Sequence, residues 1–238
     1  MPQLGSDSFV AGNDVYPTPI SPNLPVLESK PFQQTPGGMI VVLNGFPGTG
    51  KYTILKQAKA LLPADKTRLL DNHLLIDPAT ALIPDRSDAH HDLRRRIRAP
   101  VFDEISRLAQ EGHIILMTAC LAEGNERDAA FLEEHLDLVR GTDVPLFWVN
   151  AYCDLAALEQ RIDSPERCQG TKTKLTDVDV LRKLVSENRV IEPRKSGDES
   201  IRLVVETLDV SGPVGVSVAR LMDMLCLPRG NGARGVER

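Results

Sequence analysis

Three glycines, a lysine and one aspartate carry the chemistry this sequence can do. Gly45-Phe46-Pro47-Gly48-Thr49-Gly50-Lys51-Tyr52-Thr53 sets its glycines around a single cation. Glycine takes backbone dihedrals closed to other residues, so several N–H groups can converge on one anion. A helix starting at Lys51 adds its unpaired N–H groups and the positive end of its dipole. Lys51 supplies a mobile full charge for the outer phosphates of a nucleoside triphosphate. Asp71 ends a short apolar run, Leu69-Leu70. A carboxylate there can accept the proton of an attacking hydroxyl or hold a metal-bound water; equally, it can cap the turn that follows.

The spacing Gly-x-x-x-x-Gly-Lys matches the P-loop rule, and strand, loop and helix follow in the required order. One position departs from it. The rule wants a small hydroxyl after the lysine to ligate Mg²⁺; here stands Tyr52, with Thr53 next. A phenol is too long and rigid for that contact. The phosphate cradle depends on backbone and Lys51 and survives. Mg²⁺ is expected to sit mainly on phosphates and waters, with Thr53 or Asp71 replacing the missing hydroxyl.

Asn72 and His73 adjoin Asp71 and are candidates to contact an acceptor. Arg94, Arg95, Arg96 and Arg98 cover several faces of one helix. Arg94 and Arg98, four apart, share a face; one binds an anionic acceptor group, or both are solvated or pair with carboxylates. Arg127 sits at a helix start, unfavourable for a cation unless it answers a negative ligand. Adjacent His90 and His91 face different ways and are expected on a solvated face. Arg161 precedes a polar stretch, 163–174, that holds Arg167, Lys172 and Lys174.

The elements that must position these groups alternate. Met39–Asn44 is a uniformly apolar strand but for its last residue, as a buried parallel strand should be. Ile54, Ala58 and Leu61 give the next helix its stripe, which Pro63 ends. Further strands are expected at 67–70, 113–118, 144–150 and 201–207. Between them, Asp77-Pro78 reads as an N-cap with proline at the first helical position. Ser87 caps a long helix that Pro100 kinks or splits. Asn125 and Thr176-Asp177 open further helices, one short helix ends near Arg161, and Val214, Val218, Leu221 and Leu225 line the last. Leu208-Asp209-Val210-Ser211 is a loop. The pattern predicts an α/β three-layer sandwich on a mostly parallel five-stranded sheet, with helices on both faces.

A chain of 238 residues allows one domain with a sizeable core. Net charge −5 argues against a nucleic-acid partner. Four scattered cysteines without a Cys-x-x-Cys pair argue against zinc and fit a reducing cytoplasmic setting. No apolar run approaches the roughly 20 residues of a membrane helix, and the start lacks the pattern of a signal peptide. Residues 1–37 hold seven of the 17 prolines and read as a disordered or loosely packed arm. Residues 38–227 form the expected domain, with a lid at about 161–176, and 228–238 read as a flexible tail.

Gly45–Thr53, Leu-Leu-Asp-Asn-His at 69–73 and Lys-Thr-Lys-Leu-Thr-Asp at 172–177 together resemble blocks of the small P-loop kinases. The nearest look is the AAA-type P-loop group beside chloramphenicol phosphotransferases, zeta toxins and shikimate-kinase-like proteins. The resemblance spans roughly residues 39–226. It implies a sheet in the order 2-3-1-4-5 and ATP with Mg²⁺ as cofactors. It implies γ-phosphoryl transfer to a small-molecule hydroxyl, with Lys51 on the phosphates and Asp71 at the acceptor. Arg161 and Arg167 would cover the adenine or pair with the transferring phosphate. The loop after the last strand, with Asp209, resembles the adenine-contacting loop. The segment at 113–118 lacks the acid of an ATPase motor, and no Asn-Lys-x-Asp marks a GTPase. The alternative is a non-catalytic ATP-binding sensor or scaffold with a degenerate Mg²⁺ site.

Overall fold

A computed structural model describes residues 38–162, 175–194 and 200–226. The expected arm at 1–37 and most of the expected lid and tail lie outside the described residues. Five strands form one sheet: β1 (Met39–Asn44), β2 (Thr67–Leu70), β3 (Ile114–Ala119), β4 (Leu146–Tyr152) and β5 (Leu203–Asp209). The order is β2-β3-β1-β4-β5, as the resemblance implied, and every pairing is parallel. Seven helices connect and cover it among the described residues: α1 (Lys51–Ala60), α2 (His73–Leu82), α3 (Asp88–Gln110), α4 (Glu126–Asp137), α5 (Leu155–Ile162), α6 (Val178–Glu187) and α7 (Val214–Cys226).

All six residues of β1 and all six of β3 are buried. Alternate β1 residues serve opposite faces of the sheet. Ile40 and Val42 join Ile115, Met117 and Trp148 in one cluster with side chains of α3 and α4. On the helical side of that cluster, Phe102 and Phe131 stack at 6.0 Å between centroids. Helix α1 packs against α7. Central strands buried on both faces leave only their carboxyl ends accessible, which is where such sheets place ligands.

Several local expectations need correction. Helix α2 starts at His73, and Pro78 lies inside it instead of at its first turn. Leu74 N and Leu75 N donate to the carbonyls of Asp71 and Asn72, so the chain turns helical directly off β2. Helix α3 runs unbroken for 23 residues through Pro100, whose exposed position leaves the freed carbonyl one turn back to water. His90 is buried, its Nδ1 2.6 Å from the carbonyl of Ile83, because the α2–α3 connection folds back over it. Strands β4 and β5 begin and end two residues later than expected, so the first two residues of the 208–211 loop belong to β5. Asn125 and Asp177 do cap α4 and α6, each accepting two backbone N–H groups. Ser87 sits at the N-cap of α3 without a capping bond; its hydroxyl donates to Asp85 instead.

His135 of α4 shows what this core costs at low pH. Its ring lies 4.5 Å from Phe131 and 5.5 Å from Trp148, centroid to centroid. Burial pulls its pKa from the ordinary 6.5 down to about 4. The native state thus refuses a proton that the unfolded chain takes up near pH 6.5. Stability is fully present above pH 6.5 and falls between 6.5 and 4, by about 3 kcal/mol in all. Thermal melts from pH 7 to 4.5 should show a smaller loss of Tm in His135→Leu than in the parent chain. An equal loss in both would mean that other groups set the acid limb.

Candidate active site

The phosphate-loop geometry follows from its glycines. Gly48 and Gly50 take φ of 92° and 79°, in the left-handed region that L side chains rarely adopt. A Cβ on Gly48 would also come within 3.1 Å of Ile162. Gly50 is the N-cap of α1, and Ile54 N donates to its carbonyl at 3.0 Å. The Thr49 hydroxyl donates to Phe46 O at 2.8 Å and fixes the bend. Lys51 Nζ folds back onto the carbonyls of Gly45 and Phe46, at 2.6 and 2.9 Å, and onto Thr49 Oγ1 at 3.2 Å. The ammonium therefore lies across the mouth of the loop, within reach of an incoming phosphate. This backbone fits a polyphosphate. The metal position fits less well. Tyr52 is 42% exposed, and Thr53, also exposed, is turned about 100° further round the helix.

Asp71 is buried at the carboxyl end of β2. Its Oδ1 accepts from the Thr118 hydroxyl at 3.1 Å and from His73 N at 3.3 Å. Thr118 Oγ1 in turn accepts from Asn72 N at 2.9 Å. The register explains the meeting. Leu70 pairs with Met117, so the next residue of each strand faces the other; Thr118 itself pairs with Leu43. Asp71 is thus two strand spacings, about 10 Å, from the strand that feeds the phosphate loop. That gap suits a transferring phosphate and the hydroxyl that receives it. The turn-capping alternative for Asp71 is seen in its bond to His73 N, which starts α2 and does not occupy its whole carboxylate. Among the described residues Asn72 Oδ1 is buried without a hydrogen-bond partner, and the His73 ring leans on Asp77 at 3.3 Å.

Two buried amides escaped the sequence analysis. Asn44, the last residue of β1, donates to Asn150 Oδ1 at 3.0 Å and accepts from Leu121 N at 2.8 Å. Trp148 Nε1 and Asn150 Nδ2 both donate to Ile191 O. Residues 189–191 then run antiparallel to 121–123, with Glu123 N and Ile191 N donating across. A strap from beyond α6 is thereby held to the segment after β3, beside the loop. The signal was present: a lone amide lies at or near the end of each of two apolar strands, where an unpaired polar group would be costly.

The arginines separate sharply. Arg98 is buried, makes a two-pronged pair with Glu134 at 2.7 and 2.8 Å, and lies 3.8 Å over the Phe131 ring. It ties α3 to α4 and is not available to an acceptor. Arg94, on the same side of α3, has its Nε buried without a hydrogen-bond partner among the described residues. Desolvation, then the charges of Arg98 and Arg86, pull its pKa down to about 10. Arg127 pairs with Asp88, so its observed counterion is a side chain. Arg161 donates to the carbonyls of Val210, Ser211 and Gly212 at 2.9, 3.2 and 3.1 Å. It organises the loop after β5. Arg167, Lys172 and Lys174 lie outside the described residues. Arg86 and Asp128, not singled out from the sequence, both lie within electrostatic range of Arg94.

No family model matches this sequence, and no curated protein matches it. Solved structures do. Thymidylate kinase from Candida albicans aligns over 79% of this chain and 91% of its own, with a TM-score of 0.51 at 18% identity. The APS kinase of Mycobacterium tuberculosis, solved with AMPPNP and APS, covers 80% of this chain and 99% of its own, at 0.50 and 19%. The Deinococcus radiodurans tunicamycin resistance protein covers 80% and 96%, at 0.50 and 14%. The chain therefore has the fold of the P-loop kinase-like nucleoside triphosphatases. Among the described residues no helix is long and apolar enough to cross a membrane.

Proposed function

We propose that this chain is an ATP-dependent phosphotransferase acting on the hydroxyl of a small molecule. What supports this most is one arrangement: a glycine-shaped loop with Lys51 at its mouth, and a buried carboxylate, Asp71, two strands away. ATP would supply the phosphoryl group, and a bound Mg²⁺ would supply charge neutralisation. The chain's residues do the rest. The loop N–H groups and Lys51 hold the β- and γ-phosphates. Asp71, steadied by Thr118, takes the proton of the acceptor hydroxyl as that oxygen bonds to the γ-phosphorus. The bond from phosphorus to the bridging oxygen breaks, and ADP leaves with its electron pair. Arg161 holds the loop that flanks the base, in keeping with the adenine-side role. Arg167 and the lid cations would close over the transferring group and exclude water. Asn72 and His73 line the acceptor side. Asp71, through a water, or Thr53 would hold the metal.

ADP release against a panel of hydroxyl metabolites tests this directly; activity that requires both Mg²⁺ and an acceptor is the expected result. Tyr52 favours a second reading, a nucleotide sensor that binds without turnover. Calorimetry separates the two. A catalyst should bind ATP more tightly with Mg²⁺ than with EDTA. A sensor should bind equally in both and yield no product. In Tyr52→Ser, the restored hydroxyl is expected to raise the Mg²⁺ dependence of ATP affinity several-fold. No change would mean that position 52 does not face the metal.

A further inference from the structure

The acceptor itself is not named by the loop or by Asp71, but the wall between α3 and α4 has a charge pattern of its own. Four guanidiniums, Arg86, Arg94, Arg98 and Arg127, meet three carboxylates there, Asp88, Asp128 and Glu134. Two of the guanidiniums are answered, Arg98 by Glu134 and Arg127 by Asp88. Asp128 is held by Ala122 N at 2.9 Å. Among the described residues Arg94 Nε is buried without a hydrogen-bond partner, and neither Arg86 nor Arg94 is in an ion pair. Arg86 is exposed and Arg94 half-buried. The ring of His91 lies within electrostatic range of Arg86, Arg94 and Arg127, and these cations disfavour its protonated form.

The cluster adjoins the phosphate loop. Cys120, the first residue past β3, lies within electrostatic range of Lys51 on one side and of Arg86 and Asp128 on the other. Asp128 in turn lies within range of Arg94 and His91. A half-buried cation with an unpaired Nε destabilises a folded chain. Such a group persists where a ligand completes it.

We propose that the acceptor carries an oxyanion group, phosphate, sulfate or carboxylate, seated on Arg94 and Arg86, with its hydroxyl toward Asp71. This deepens the phosphotransferase reading and rests on it. A guanidinium offers a planar fork of donors to such a group and forms charge-assisted bonds that a neutral acceptor cannot match. Arg98 is excluded from the role by its pair with Glu134, although it shares the face of α3.

The test uses the full chain saturated with AMPPNP and Mg²⁺, so that the loop is filled, and titrated calorimetrically with inorganic phosphate, sulfate and acetate separately. One equivalent of an oxyanion should bind. In Arg94→Met and in Arg86→Ala its affinity should fall by at least about tenfold, and Arg94→Lys should recover part of the loss. Preference for phosphate or sulfate over acetate would point to an ester acceptor, and the reverse to a carboxylate. Melts of the unliganded variants give a readout that a structural arginine would not. Arg94→Met should keep or raise Tm, because it removes an unpaired charge, whereas Arg98→Met should lower it by stranding Glu134. A phosphate titration identical in the parent chain and both variants, or a collapse of Tm in Arg94→Met, overturns the proposal. Failure of AMPPNP to bind at all would instead remove the nucleotide reading; the same titrations on the unloaded chain would then decide the oxyanion site alone.

Discussion

Lys51→Ala is expected to lower kcat/KM for acceptor-dependent ADP release by about two to three orders of magnitude, while the chain stays folded. The magnitude follows from removing one preorganised cation from a site where charge spreads over the transferring oxygens. The structure says why folding should survive. Lys51 Nζ reaches the loop carbonyls of Gly45 and Phe46 and the Thr49 hydroxyl, and the turn is set independently by Gly48, Gly50 and the Thr49–Phe46 bond. ATP affinity should weaken as well, since in the proposed mechanism the ammonium would touch the phosphates before and during transfer. Lys51→Arg should rescue little: a guanidinium fork is wider than an ammonium and cannot occupy the same point at the loop mouth. A coupled ADP assay paired with calorimetry reads both effects. Parent-like turnover in Lys51→Ala would place the triphosphate elsewhere and remove the mechanism.

How much of this was readable beforehand depends on how local the cause is. The loop was legible because its requirements are local: an apolar strand, glycines where the backbone must take positive φ, then a lysine at a helix start. Asp71 was legible for the same reason, at the end of an apolar run. Arg94 and Arg98 show where that stops. Helix spacing correctly puts them on one side of α3, yet it cannot tell that Glu134 and the Phe131 ring of α4 meet Arg98 and leave Arg94 unpaired. The difference lives in tertiary packing. His90 is similar: adjacency to His91 predicted that they diverge, but the carbonyl of Ile83 that buries one of them comes from another element. Pro78 failed as a boundary marker because α2 is nucleated earlier, by turn bonds to the carbonyls of Asp71 and Asn72. The Asn44–Asn150 contact required knowing that β1 and β4 are neighbours in register, which places those two residues opposite one another.

The register of β2 on β3 bears on the second large effect, because it sets Asp71 against Thr118. Asp71→Asn is expected to lower kcat by about two to four orders of magnitude, with KM for ATP little changed. Asparagine keeps the shape, and its amide oxygen can still accept from Thr118 Oγ1 and His73 N, two bonds that the carboxylate accepts. What it loses is negative charge and the capacity to take a proton. Tm should therefore move little, and the loss should sit in the chemical step. Thr118→Val separates position from chemistry. It removes the hydroxyl that both steadies Asp71 and receives Asn72 N, leaves the carboxylate in place, and should slow turnover far less than Asp71→Asn. If the carboxylate acts on the acceptor proton, kcat in the parent chain and in Thr118→Val should fall on acidification, and that limb should be absent in Asp71→Asn. A matched loss in both variants, with parallel pH profiles, would make Asp71 a helix-starting residue and move proton acceptance to another group on the same edge, with Asp128 the first to test.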